Sequence, residues 1–439
     1  MRSVLWLRRR STPARSRQLL RALQVFMETE VSGGVLLLVA ALIAVAWANS
    51  PLAGGYERLW GTELTLQVGP WTMADDLRHW VNDGLMTLFF FVVGLEIKRE
   101  LSVGELRDPR AAALPVLAAV GGMVIPAALY LAVNPAGEAA RGWGIPMATD
   151  IAFALGVIAM VDRSVPSSLR LFLLALAIVD DIGAIVVIAL FYSMDIDLAA
   201  LATALGLLVA ILVLRRAGVH RMPAYVVLGI ATWFAMFESG VHPTIAGVAL
   251  GLLTPASPIQ RPAQVSREAR RVADETDDDP SPPDADAHHW LHLARLSRET
   301  LSPLGRLEHI LHPWTSYVIV PLFALANAGV GLSLHDLRLS VGSSVWIGVV
   351  LGLVLGKTAG VALGAFLGVR LGVATLPPGV TGGHVLGAAV LAGIGFTVSL
   401  FITNLAFTEP ALIAAAKVGI LTASLLAAVA GVMILRRVG

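Results

Sequence analysis

The 439-residue chain has no cysteine, which excludes a disulfide framework, a thiolate metal site and any redox reading. Charge is scarce as well. Asp, Glu, Lys and Arg make up 14% of the residues, against about a quarter in soluble domains, and they are crowded between apolar blocks. With 56% hydrophobic residues and a mean hydropathy of +0.76, the chain reads as an all-α polytopic membrane protein. A formal net charge of +1 points to no acidic partner. No nucleic-acid partner, cofactor or enzymatic activity is expected.

Hydropathy and the punctuation by Gly, Pro and charge predict about twelve spans. They fall near 31–48, 79–101, 112–132, 142–160, 167–192, 198–216, 222–237, 241–254, 310–331, 344–369, 384–405 and 411–435. The domain plan is a basic cytoplasmic N-terminus (1–30), eight helices (31–254), a cytoplasmic, partly disordered linker (255–306) and four further helices (307–439). The seven arginines before the first span make a basic region too long for an ordinary signal peptide, although Ala46-Trp47-Ala48 resembles a cleavage site. Counted over alternate loops, most of the 32 Lys and Arg fall on the side shared by both termini. The positive-inside rule makes that side the cytoplasm. Between the first two spans, the alternation over Thr62 to Trp71 predicts either a short external hairpin, at about 60–73, or a solvated loop. A lone hairpin is marginal in water and would gain from pairing with a second protomer. Between spans eight and nine, Asp274 to His289 is acidic and Pro-rich and reads as a linker.

The decisive stretch is Leu171 to Tyr192, an apolar segment of membrane-spanning length with Asp180 and Asp181 at its middle. Further polarity lies in Thr149 and Asp150 of span four and Lys357 of span ten. Placing Asp150, Asp180, Asp181 and Lys357 in lipid unpaired would cost on the order of 10–14 kcal/mol, taking the insertion scale four times. Packing alone does not call for that. Span four is interrupted by Gly144 and Pro146, and span eleven by Gly393 and Gly395. These breaks occupy corresponding places in spans 3–5 and 10–12, the sequence sign of inverted repeats crossing at a substrate site. Gly and Pro also merely kink membrane helices, but two matched breaks beside charges favour a site. Half-helix ends carry about half a charge each, so Asp150 suits the positive ends and Lys357 the negative ones.

Adjacent helix residues point about 100° apart. One aspartate is therefore expected to pair with Lys357 while the other faces an ion funnel beside Asp150. Such a cluster titrates as a coupled set. It takes protons or a small hard cation, which prefers oxygen ligands, but hardly both at full load. That competition is antiport. A retinal-type counter-ion site would want about seven spans and aromatics around the lysine, and a symporter for organic anions would want few buried acids.

The strings VGLEIKREL (93–101), ATDIAFALG (148–156), LALAIVDDIGAIVVIALFY, SGVHPTIAGV (239–248), LEHILHPW (307–314), GKTAG and AGIGFTVSLF resemble the bacterial sodium/proton antiporter A family, NhaA, over nearly the whole chain. The resemblance implies electrogenic, pH-regulated exchange of internal Na+ or Li+ for external H+ in the bacterial inner membrane. It also implies crossed broken helices and a homodimer formed through the hairpin. Asp180 and Asp181 match the family's ion-binding pair, Thr149 and Asp150 its polar residues at the broken fourth helix, and Lys357 the lysine paired with the first aspartate. Glu96, Glu100, His242, Glu308, His309 and His312 match positions tied to the pH response. Read alone, Glu96 to Glu100 is an ordinary charged helix end and Glu308-His309 a solvated cap. The acidic linker departs from the family pattern just upstream of LEHILHPW, which bears on the pH set-point.

Overall fold

The computed structural model describes residues 32–438 apart from 69–70, 162–164, 194, 220–221, 259–264, 272–290, 292–295 and 297–299. The basic N-terminus and the acidic 274–289 tract lie outside the described residues.

Helix α1 (Ser32–Ala48) bends by 116° into the short α2 (Ala53–Trp60). Strands β1 (Glu63–Val68) and β2 (Trp71–Asp76) pair antiparallel, with Glu63 opposite Asp76. The hairpin thus runs three residues beyond the expected 73. There follow α3 (Leu77–Val103), α4 (Pro109–Val133), the pair α5 (Gly137–Met147) and α6 (Ile151–Met160), α7 (Ser167–Phe191), α8 (Leu198–Arg216), α9 (Met222–Glu238) and α10 (Thr244–Leu253). The second half holds α11 (Pro303–Asn327), α12 (Leu334–Ser340), α13 (Ser344–Arg370), the pair α14 (Gly382–Leu391) and α15 (Phe396–Ala406), and α16 (Pro410–Val438).

Among the described residues, seven helices are long and apolar enough to cross a membrane, or ten if each of three bent pairs is one crossing. Helices α9 and α10 are shorter apolar helices. The chain is thus mostly helical, and interruptions rather than loops set the count. One boundary moves. Helix α11 begins inside the stretch assigned to the 255–306 linker, because Ser302 accepts a hydrogen bond from Gly305 N–H at 3.1 Å and Pro303 takes the first helical position.

Helix α7 sits at the centre: 67% of its apolar window is buried, against 11% for α8. The outward side chains of α8, such as Leu205, Val209 and Val213, stay exposed, as a lipid-facing surface requires. Two close seams organise the rest. Gly121 of α4 and Gly360 of α13 abut so that a Cβ on either would strike the other's backbone carbonyl, and small residues let membrane helices pack this way. Gly94 of α3 and Gly251 of α10 form the second seam.

Among the described residues, three helices contain a π turn: Trp80–Leu85 in α3, Thr315–Ile319 in α11 and Leu351–Gly356 in α13. Such turns are frequent at functional sites, and the last ends immediately before Lys357.

Candidate functional site

The two broken helices meet at their breaks. Helices α5 and α6 diverge by 47°, and α14 and α15 by 44°. The peptide N–H of Asp150, in the first break, donates to the Ile394 carbonyl in the second at 2.6 Å. The Asp150 carboxylate then caps both onward halves. One oxygen accepts from Phe153 N–H at 3.0 Å at the start of α6, and the other from Thr397 N–H at 3.1 Å at the start of α15. A single negative charge thereby offsets two positive helix ends. The preceding half is held in turn by Ser399, whose hydroxyl donates to the Ile145 carbonyl at 2.6 Å.

Lys357 reaches the same place from α13. Its ammonium lies 2.7 Å from Asp180 Oδ2 and also donates to the Met147 carbonyl, the last of α5. The Thr149 hydroxyl is 2.7 Å from Asp180 Oδ2 and 2.9 Å from the Ala392 carbonyl. Asp180 and Lys357 are wholly buried. The neighbouring Asp181 turns the other way and lines a cavity of about 60 Å³ together with Asp150, Thr149, Thr397, Glu96 and His312. Its Oδ1 is buried without a hydrogen-bond partner. The pocket therefore offers hard oxygen donors around space for a few water-sized species, a chemistry that fits a small alkali cation as cargo.

The model of the family described as "Na+/H+ antiporter 1" matches residues 24–435. The chain is 47% identical over 413 residues to the Na(+)/H(+) antiporter NhaA of Janthinobacterium sp. (strain Marseille), covering 93% of this chain and 91% of that one. It is 47% identical over 422 residues to Na(+)/H(+) antiporter NhaA 3 of Frankia alni, covering 96% and 90%. The chain belongs to the Na+/H+ antiporter 1 family. Among solved structures, the sodium proton antiporter MjNhaP1 of Methanocaldococcus jannaschii aligns with 95% of this chain and 99% of that chain, at 16% identity and a TM-score of 0.46.

In this family member, the six candidate pH-response residues do not gather in one place. Glu96 and His312 line the Asp181 cavity. Glu100 and Glu308, both buried, meet around Arg99, whose guanidinium bonds Glu308 and lies 3.5 Å from Glu100. Glu100 also accepts from Glu105 N–H at 3.1 Å. His309 is exposed. His242 lies at a second cavity, its Nε2 3.9 Å from Asp83 and its Nδ1 3.3 Å from the Thr244 hydroxyl.

Two features of this antiporter escaped sequence reading. Arg99 reads as one basic residue at a charged helix end, and nothing in the string marks it as the hub between α3 and α11. Ser399 is one of three hydroxyls in the run Phe396–Ala406, with Thr397 and Thr403; its position one turn beyond the Gly395 break was the available signal.

Proposed function

We propose that the chain carries internal Na+, or Li+, outward in exchange for more than one external proton, by alternating access at Asp180 and Asp181. The observation that carries this reading is the split of the two carboxylates. Through Oδ2, Asp180 is compensated by Lys357 and Thr149, whereas Asp181 lines the cavity beside Asp150; the Oδ1 of each is buried without a hydrogen-bond partner. A buried carboxylate without a partner takes up a proton or a cation. Proton loss toward the cytoplasm frees Asp181, with Asp150 and Thr149, to bind Na+; the cation leaves outward when protons return. Lys357 holds the joint between α5 and α7 through the cycle. Because several titratable groups share one cation, net charge moves, and the membrane potential contributes about 2.3 kcal/mol per charge per 100 mV.

The same reading sets the protein in the bacterial inner membrane with both termini cytoplasmic, as the basic-residue bias supports. Twelve crossings follow if α9 and α10 also span. The paired breaks support inverted repeats over α4–α7 and α13–α16. The exposure of β1 over residues 63–67 supports a homodimer through the hairpin. The pH response would be read by Glu96, Glu100, Glu308 and His312, with His242 and His309 standing apart from that group.

Titration calorimetry of Na+ binding at acid and alkaline pH tests the competition: affinity rises with pH in the intact chain and is lost in Asp181→Asn. Equal affinity at both ends of the pH range would sink the reading. Exchange in proteoliposomes that ignores an imposed voltage would remove the proton excess.

A further inference from the structure

Two cavities lie along the same pair of elements. Helix α15 contributes Thr397 and Val398 to the Asp181 cavity, and Phe401 and Asn404 to a second cavity of about 260 Å³. Helix α3 contributes Phe89 and Glu96 to the first, and Asn82 and Asp83 to the second. From Val398 to Asn404 is about 9 Å along a helix axis. Along the two helices, Phe90 and Phe401 stand between the lining residues Asp83 and Glu96 of α3 and Val398 and Asn404 of α15; Phe90, Phe323 and Phe401 are buried, and the rings of Phe90 and Phe323 lie 5.3 and 6.3 Å from that of Phe401.

On the second-cavity side of this aromatic plug, three asparagines from three helices hold one another. Asn404 Nδ2 of α15 donates to Asn327 Oδ1 of α11 at 2.7 Å. Asn327 Nδ2 donates to Asn82 Oδ1 of α3 at 2.8 Å and to the Phe323 carbonyl, one turn back, at 3.0 Å. Asn82 Nδ2 returns toward Asn327 Oδ1 at 3.4 Å. Asn327 is wholly buried with its amide fully used, while Asn82 and Asn404 reach the cavity. A salt bridge here would attract the cargo or cost much to open. An amide cluster is uncharged, and each of its hydrogen bonds exchanges for one to water at little net cost.

We propose that Asn82, Asn327 and Asn404 are the latch of the gate between Asp181 and the second cavity. Closed, the latch holds α15 against α3 and α11 and keeps the plug in place. Open, it releases Asn404, and the freed amide oxygens face the alkali cation in transit. Asn404 is a positioning residue: it sets which cavity reaches Asp181 and is not part of the Asp181 site. The proposal rests on the reading of that cavity as the ion site.

The absence of cysteine makes the test direct. Val398→Cys, in the first cavity, reports access when a membrane-impermeant maleimide is added on the second-cavity face of oriented proteoliposomes. Asn404→Ala should raise the labelling rate from that face about tenfold, a shift of about 1.4 kcal/mol, and lower it from the opposite face. Asn327→Ala added to Asn404→Ala should raise it little further, since both break one latch. Should Asn404→Ala fail to fold, Asn82→Ala cuts the latch at its other end. Unchanged labelling from both faces in a folded Asn404→Ala or Asn82→Ala variant, or full additivity in the double variant, overturns the latch. Protection of Val398→Cys by Na+ in the otherwise unaltered chain is read separately, so a failed ion site and a failed latch give different results.

Discussion

The ammonium of Lys357 lies 2.7 Å from Asp180 Oδ2, and neither side chain reaches solvent. Lys357 also donates to the Met147 carbonyl at the end of α5. One side chain thus ties α13 to the carboxylate of α7 and to the open end of a broken helix. Its first task is mechanical, and the charge of Asp180 is its counterpart.

Removing one partner of such a pair leaves an uncompensated buried charge, which costs about 3–5 kcal/mol. Lys357→Ala should therefore lower the thermal midpoint strongly in detergent. Asp180→Asn combined with Lys357→Met removes both charges and should recover most of the loss. The two melting curves decide it: a double variant no more stable than Lys357→Ala would mean that the ion pair is not what Lys357 contributes.

Asp181 has the opposite character. It lines the cavity and takes no part in the Lys357 ion pair, and in the proposed function its charge serves the cargo and not the fold. Asp181→Asn should keep or raise thermal stability while Na+-dependent proton movement in vesicles falls to background. Residual exchange above about a tenth of the unaltered rate would place the essential carboxylate elsewhere.

These two residues also show how far the string alone carries. Charges inside apolar runs announce themselves by their insertion cost, so Asp150, Asp180, Asp181 and Lys357 are legible. The helix breaks are legible because Gly and Pro punctuate them. What pairs with what is not legible, since Thr397 and Asp150 lie 247 positions apart and meet only because two breaks cross. The asparagine latch is hidden for the same reason. Each amide is a neutral polar residue near the end of an apolar run, ordinary alone. Bends also blur the span count, because hydropathy registers composition and not direction.

Close packing gives a prediction at the mouth of the site. A Cβ at Gly34 of α1 would stand 2.8 Å from the Ala152 carbonyl in the first turn of α6. Backbone does not yield as a flexible side chain does, so Gly34→Ala must push α1 away from the half-helix that Asp150 caps. Maximal exchange rate should fall several-fold while the apparent Na+ affinity changes little, because no cavity oxygen is altered. Measured Vmax and KM at saturating pH gradient separate the two, and an unchanged Vmax would show that α1 moves freely with α6.

Glu138, at the N-terminal end of α5 and ahead of the apolar stretch 142–160, supplies a pH dependence with a definite sign. Its carboxylate accepts from the backbone N–H groups of Thr408 and Glu409 and from the Thr408 hydroxyl, at 2.9, 3.2 and 3.0 Å. Those bonds, the Thr408 and Glu409 N–H groups first, hold its pKa below the ordinary glutamate value. A carboxylate depressed in the folded state stabilises fully above its unfolded pKa, near about 4.3, and loses that contribution as pH falls through the lower folded value. The clip between α5 and the start of α16 is therefore intact at neutral and alkaline pH and weakens only below the ordinary glutamate range. Glu138→Gln should lower the thermal midpoint at pH 7 and merge with the unaltered protein only once pH has fallen through the depressed folded value. Melting curves across that range check it, and a gap that widens toward acid would reverse the assignment.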